Sequence, residues 1–464
     1  MNELVFDNFA NYLSMDVLLL IMKSNGGVFG PRQASSQAIN MTLSGPAAGV
    51  IGAGVVATSS GHRNAITIDI GGTSADVSLI RDGQPAMTNE SEVGPFPLQI
   101  PTVDIHTIGA GGGSVARINQ MSVVQVGPES SGADPGPICY GQGGLEATVT
   151  DADLVLGYLN SENFAGGSIA LDVAAASAGI SEQIAAQQGR SLVEAAWTIH
   201  DVINETMATA VRMHVTERGG NPDAATMIAF GGAGPVHACN LARKLRISHF
   251  IVPLRAGVLS ALGLLVAPPA YDIVRTYKSP LERLDWQDLL GRMKNMEEEI
   301  GLSLDGIDTI GDRCYRHEVD VGYIGQSYQV TVGIGEKFDG LILQQYFAKL
   351  YREKYGYFYT DVPAEIVNLR VRGEIVQSGF RLNPLKSFTR GTIAPSSDIR
   401  EAYSVAERKM TAHKVYQRPA LVAGMRIAGP AIVEEATSTT VIDGGWTLDV
   451  DSLGSLSVHN TEGH

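Results

Sequence analysis

Apolar and polar residues repeat along this chain with two periods, and the places where one gives way to the other outline its elements. Residues 1–24 set Leu4, Phe9, Tyr12, Leu13 and Val17 at helical spacing, which predicts a helix packed on a core. Residues 44–59 are apolar but rich in Gly and Ala, so they predict a helix that lets its neighbours come close. Residues 66–80 read as a β-branched strand, a glycine turn and a second strand, and Asp82-Gly83 is a further turn signal. The Gly- and Pro-rich stretch 88–150 is long for one loop; it is either functional or carries short strands. Residues 191–218 form the clearest helix, with Ser191 as a cap and Gly219-Gly220-Asn221-Pro222 as a stop. Residues 226–253 then read strand, turn, helix, strand.

Beyond Pro268-Pro269 the pattern changes. A charged helix over 286–301 leads into β-rich segments at 319–334 and 365–376. One boundary at about residue 275 follows, with an α/β domain over 1–275 and a β-rich α+β domain over 276–464. No internal repeat is visible.

Composition removes several function classes. Hydrophobic residues make up 44% and charged residues 18%, as in a globular protein with a substantial core. The net charge of −15 repels polyanions, and Arg243, Lys244 and Arg246 are too few for a nucleic-acid footprint. Apolar stretches at 47–57 and 258–269 are too short to span a bilayer. Glu3, Asp7 and Asp16 near the start do not suit a signal peptide. The three cysteines, Cys139, Cys239 and Cys314, form no Cys-x-x-Cys pair and fit a reducing compartment, so a cytoplasmic location is expected.

The chemistry concentrates in two glycine clusters. In Asp69-Ile70-Gly71-Gly72-Thr73-Ser74-Ala75-Asp76 the missing Cβ atoms of Gly71 and Gly72 let backbone amides approach an anion, and Thr73 and Ser74 add hydroxyl donors. Asp69 and Asp76 cannot cradle a phosphate; they suit a Mg²⁺ shell or the positioning of a water. The bland alternative is an ordinary hairpin. About 160 residues later, Gly231, Gly232 and Gly234 lie between a short apolar strand and a helix, where a nucleotide commonly docks; the alternative is a tight connection. His237, in the first turn of that helix, faces either the nucleotide or solvent. Asp104 and His106, two apart on a strand, share a face and could position a substrate, a water or a metal. The glycines at 109–113 also invite a rival dinucleotide-binding reading, with Gly-x-Gly-x-x-Ser spacing and Glu129 at a distance suited to a ribose. There is no His-Glu-x-x-His and no Gly-x-Ser-x-Gly.

Residues 69–77 and 230–237 together resemble the hydantoinase A/oxoprolinase family, and residues 44–50, 103–114, 132–137, 148–153 and 429–435 fit it too. That family includes ATP-dependent N-methylhydantoinases, 5-oxoprolinases and the ATP-binding subunits of acetone-type carboxylases. The resemblance implies the second half of an actin/hexokinase-like (ribonuclease H-like) ATPase fold, with ATP and Mg²⁺ as cofactors. It also implies a hydantoinase B-type, metal-bearing partner subunit and a small-molecule substrate. Members usually carry an earlier Asp-Gly-Gly-Thr turn, whereas this chain has one Asp-x-Gly-Gly-Thr. The expectation is therefore that the first half is either a separate subunit or truncated. The function implied is a subunit of an ATP-dependent amidohydrolase that activates a cyclic amide carbonyl for ring opening. The alternatives are an ATP-binding carboxylase subunit and a non-catalytic subunit of such a complex. On this resemblance Asp69, Asp76, Asp104 and His106 are the expected catalytic residues. Gly71, Gly72, Thr73, Ser74, Gly231, Gly232, Gly234 and His237 would bind the nucleotide, and Asp69 and Asp76 the metal.

Overall fold

The computed structural model describes residues 19–93, 96–98, 100–305, 307, 311–335, 339–376, 382 and 392–461. Most of the helix expected over 1–24 lies outside these; near its end, Ile21–Met22 is a short strand paired with Val28–Phe29. The chain packs into two units, Met1–Ser44 with Ala267–Phe380, and Gly45–Val266 with Arg381–His464. A single boundary at about 275 is the simplest division that hydrophobic pattern suggests. The packing instead brings the C-terminal stretch back to the earlier one.

In the larger unit, α1 (Ser44–Ser59) precedes the hairpin β1 (Ala65–Ile70) and β2 (Ala75–Arg81), and β3 (Ile105–Ile108) pairs antiparallel with β2. The helices α2 (Val149–Val155) and α3 (Leu192–Glu217) follow, with the short helix Val173–Ile180 between them. Then come β4 (Thr226–Phe230), α4 (Gly234–Leu245), β5 (His249–Val252) and α5 (Leu259–Val266). The sheet runs β3-β2-β1-β4-β5, with β4 parallel to both β1 and β5. This is the second half of an actin/hexokinase-like ATPase fold, as the sequence led us to expect. All five residues of β4 are buried, as befits a central parallel strand covered on both faces. The stretch 88–150 resolves into short strands, among them Thr102–Val103, Ser114–Ile118 and Val124–Ser130.

Local chemistry fixes the helix ends. Ser191 and Glu194 cap α3 reciprocally, and Thr148 and Asp151 do the same for α2. Pro235 stands in the first turn of α4, where a missing N–H is harmless.

The smaller unit carries β6 (Ala270–Pro280), α6 (Trp286–Asp305), β7 (Asp312–Tyr323), β8 (Val330–Ile334), α7 (Gly340–Tyr355) and β9 (Ala364–Val376). Its antiparallel sheet runs β6-β9-β7-β8. Helix α6 buries Leu289, Met293, Met296, Ile300 and Leu304, a stripe at helical spacing.

The C-terminal stretch returns to the larger unit. Strands β10 (Asp398–Ser404), β11 (Lys409–Gln417), β13 (Ala431–Glu435) and β14 (Ser438–Ile442) form a separate sheet. Strands β12 (Met425–Ala428), β15 (Trp446–Val450) and β16 (Leu456–Asn460) instead extend the central one, with β16 antiparallel to β5.

The Gly/Ala character of α1 has a direct use. A Cβ on Gly263 of α5 would lie 1.8 Å from the Ala48 carbonyl oxygen, so the two backbones touch. Gly263→Ala is expected to destabilise the protein by at least about 1–3 kcal/mol, the range for overpacking. Gly291→Ala, in a helix turn where an added Cβ meets nothing within 4 Å, should stabilise by about 0.5–1 kcal/mol. Denaturant midpoints of the two variants check both signs.

Candidate functional site

The two glycine clusters meet. Gly231 follows β4 directly and has φ +84°; a Cβ there would lie 2.3 Å from Asp69 Oδ1 and 2.4 Å from the Ile70 carbonyl oxygen. Only glycine permits both the backbone angle and this approach. The Ala233 amide then donates to the Ile70 carbonyl at 2.9 Å. Gly232, Gly234 and the start of α4 are thereby set beside the β1–β2 turn.

That turn is closed by the Gly71 amide on the Ser74 carbonyl at 3.0 Å. Among the described residues, no acceptor takes the amides of Gly72, Thr73 or Ser74. Gly72 and Thr73 are exposed, and Gly71 and Ser74 are half-buried. Neither Gly71 nor Gly72 has a positive φ. A Cβ on Gly72 would meet nothing within 4 Å, and one on Gly71 only the Ser74 carbonyl at 3.8 Å. The protein itself does not need glycine at these positions. They keep open a space that a side chain would fill, bordered by free amides, and this suits a phosphate.

The turn is supported from behind. The amides of Gly112 and Gly113 donate to the carbonyls of Gly71 and Gly72 at 3.0 and 2.6 Å, and a Cβ on Gly111 would lie 2.7 Å from the Gly71 carbonyl. Gly112 is held in turn by the Thr150 hydroxyl at 2.8 Å. The run 109–114 is thus a prop, and it leads into a strand, Ser114–Ile118, rather than a helix. The dinucleotide reading requires a helix there and fails on that point.

Asp69 and Asp76 are cross-strand partners and share one face of the sheet. Burial, then the neighbouring Asp76 charge, pushes the Asp69 carboxyl up from 3.8 to about 6. Burial raises Asp76 as well, against a hydrogen bond that the Thr107 hydroxyl donates to it at 2.6 Å. Among the described residues no side chain donates a hydrogen bond to Asp69. Two desolvated carboxylates without a cationic partner suit a hard divalent cation.

Three expected residues lie elsewhere. Register pairs Thr107 with Asp76 and His106 with Val77, so His106 takes the opposite face, where it stacks on His214 at 5.6 Å. Asp104 is engaged by the Arg218 guanidinium, with Nη2 2.8 Å from Oδ1 and Nε on Oδ2. Strand alternation rightly predicts neighbouring side chains here, but on the face turned to α3 and away from the carboxylate pair. His237 does not face solvent. Its ring is fully buried, 4.6 Å from the His200 ring, and its Nδ1 accepts from the Asn204 amide at 3.0 Å. Burial holds it down to about 4, so it is neutral at physiological pH.

Sequence reasoning missed Thr107, whose role follows from register alone, and Thr150. It also missed the cluster of Asp153, His200 and His237, contributed by three helices.

The chain is similar to known proteins over most of its length. The hydantoinase/oxoprolinase family model matches residues 3–273, and the hydantoinase/oxoprolinase C-terminal domain matches residues 348–459. An uncharacterized protein of Methanocaldococcus jannaschii is 34% identical over 94% of the chain and 65% of its own length. The caprolactamase subunit alpha of Pseudomonas jessenii is 31% identical over 95% of the chain and 64% of its own length. The crystal structure of the ATP-dependent caprolactamase from the same organism superposes with a TM-score of 0.85 at 29% identity, covering 99% of this chain and 67% of that one. The chain thus spans a little under two thirds of the length of these curated relatives. No described helix is long and apolar enough to cross a membrane.

The raised Asp69 carboxyl gives a signed expectation. Between about pH 4 and 6 the folded chain holds a proton that the unfolded chain has released, so stability falls as pH rises through that window. The effect is up to about 3 kcal/mol. In chelator and without nucleotide, Asp69→Asn should therefore raise the thermal midpoint at pH 7, with the gain vanishing below about pH 4. A lower midpoint at pH 7 would show that the ionised carboxylate stabilises the free protein.

Proposed function

Because the chain belongs to the hydantoinase/oxoprolinase family, we propose that it is the ATP-binding part of an ATP-dependent amidohydrolase that opens a cyclic amide. The observation that carries this reading is the contact of Gly231 with Asp69 and Ile70, which joins two amide-rich turns around a pair of carboxylates. The amides of Gly72, Thr73 and Ser74, with the Thr73 and Ser74 hydroxyls, hold phosphate oxygens. The amides of Gly232 and Gly234, at the start of α4, face the same ligand with the favourable end of the helix dipole. Asp69 and Asp76 hold Mg²⁺ or orient a water, and Thr107 fixes the Asp76 carboxylate for that task.

Bound Mg·ATP supplies a phosphoryl group that makes an otherwise unreactive amide carbonyl susceptible to attack. The residues of this chain contribute position and charge stabilisation, which are the protein's main means in phosphoryl transfer. The name of the caprolactamase relative supports a lactam-type substrate and a role as one subunit among several. A metal-bearing subunit of the hydantoinase B type is the partner this reading calls for, and the cytoplasm is its setting.

Gly72→Val separates this reading from an ordinary hairpin. The side chain has room, and the backbone angle suits any residue. The thermal midpoint should hold, while the affinity for Mg·ATP, read by saturation-transfer NMR at millimolar nucleotide, should fall more than about tenfold, or 1.4 kcal/mol. Equal binding by the native chain and the variant would overturn the cradle.

A further inference from the structure

Asp153 on α2, His200 on α3 and His237 on α4 form a second site, beneath the glycine turns and separate from the Asp69–Asp76 pair. All three are at most 3% exposed, and their ligand-type atoms lie within 4.8 Å of one another. His200 Nδ1 is 2.6 Å from Asp153 Oδ1. His237 Nε2 is 3.5 Å from Asp153 Oδ2, and this buried nitrogen has no hydrogen-bond partner. The side-chain oxygen of Asn204, whose amide contacts Nδ1 of the same ring, is a second buried orphan. Two such orphans in one cluster are unusual, since a buried polar atom without a partner has given up its bonds to water for nothing.

We propose that Asp153, His200 and His237 bind a zinc-class divalent metal ion. Ligand bonds of about 2.0–2.1 Å in tetrahedral geometry set neighbouring ligand atoms about 3.3–3.4 Å apart. The His237–Asp153 separation, long for a hydrogen bond, fits that spacing. The ion occupies the Nε2 lone pair, so the ring proton resides on Nδ1. The Asn204 amide, which also donates to the His200 carbonyl at 2.6 Å, then yields its contact with that nitrogen, and the ion satisfies the unpaired Nε2. His200 joins after its contact with Asp153 opens by less than about 1 Å. Two imidazoles and one carboxylate select zinc, cobalt or nickel over Mg²⁺ or Ca²⁺. Among the described residues no fourth His, Cys, Asp or Glu belongs to the group, which leaves the last position to a small ligand such as water.

The ion ties three helices together. Through α2 it lies one turn from Thr150, which props the Gly71–Gly72 turn; through α4 it lies one turn from Gly234. The metal is thus a clamp on the scaffold of the glycine turns. The inference does not depend on what those turns bind.

The test uses the full chain, stripped with chelator and titrated with Co²⁺ and Zn²⁺. The native chain should take up one Co²⁺ with the intense visible bands of a tetrahedral nitrogen–oxygen site and without thiolate charge transfer. Zn²⁺ should displace it and raise the thermal midpoint. His237→Gln should weaken zinc binding more than about a hundredfold, beyond the loss typical of an outer-sphere change. Should that variant fail to fold, the native chain still decides, because its midpoint must fall on chelation and recover with zinc. No stoichiometric binding by the native chain, or an unchanged cobalt spectrum in folded His237→Gln, overturns the proposal.

Discussion

The structure around the site depends on one close approach, that of the Gly231 backbone to the Asp69 carboxylate and the Ile70 carbonyl. A side chain at 231 would drive the two turns apart and separate β4 from β1 at their C-terminal ends. The rest is stacked on this contact in layers of backbone. Gly112 and Gly113 support the carbonyls of Gly71 and Gly72, and Thr150 supports Gly112. Each hydrogen bond contributes about 1 kcal/mol, a modest amount. Their value lies in rigidity: amide donors are fixed in direction before any ligand arrives, so little reorganisation is left to do.

The electrostatics of the site pull in opposite senses within a small space. Free amides and a helix N-terminus call for an anion. The Asp69–Asp76 pair calls for a cation, and the free protein answers by keeping Asp69 protonated well above its ordinary range. An isolated anion would worsen the carboxylate repulsion, and an isolated cation would leave the amides unmatched. A cation–phosphate pair meets both demands at once, as the proposed Mg·ATP would in this net acidic chain.

Much of this was legible because the signals are local. The glycine clusters, the capped helix α3 and the strand–turn–helix at β4–α4 are each written in a few consecutive residues. What was not legible depends on register. Asp104 stands just before β3 and residues 106 and 107 lie within it, and alternation says that Asp104 and His106 share a face without saying which. The pairing with β2 gives Thr107 the place beside Asp76. His237 raises the same difficulty on a helix: Gly234 faces the turn, and three residues on the ring faces α3. The C-terminal strands were harder still, since nothing near residue 456 announces a partner near residue 250.

That last pairing has a consequence for the order in which the molecule can be built. Strand β5 emerges during synthesis some two hundred residues before β16, the strand that covers its edge. For that interval Phe250, Ile251 and Val252 belong to an open sheet edge beside the glycine turns. The central sheet is therefore completed late and by a long-range closure, the slow kind of contact in folding. A nascent chain of this protein must be kept from pairing with a neighbour until its final strand arrives.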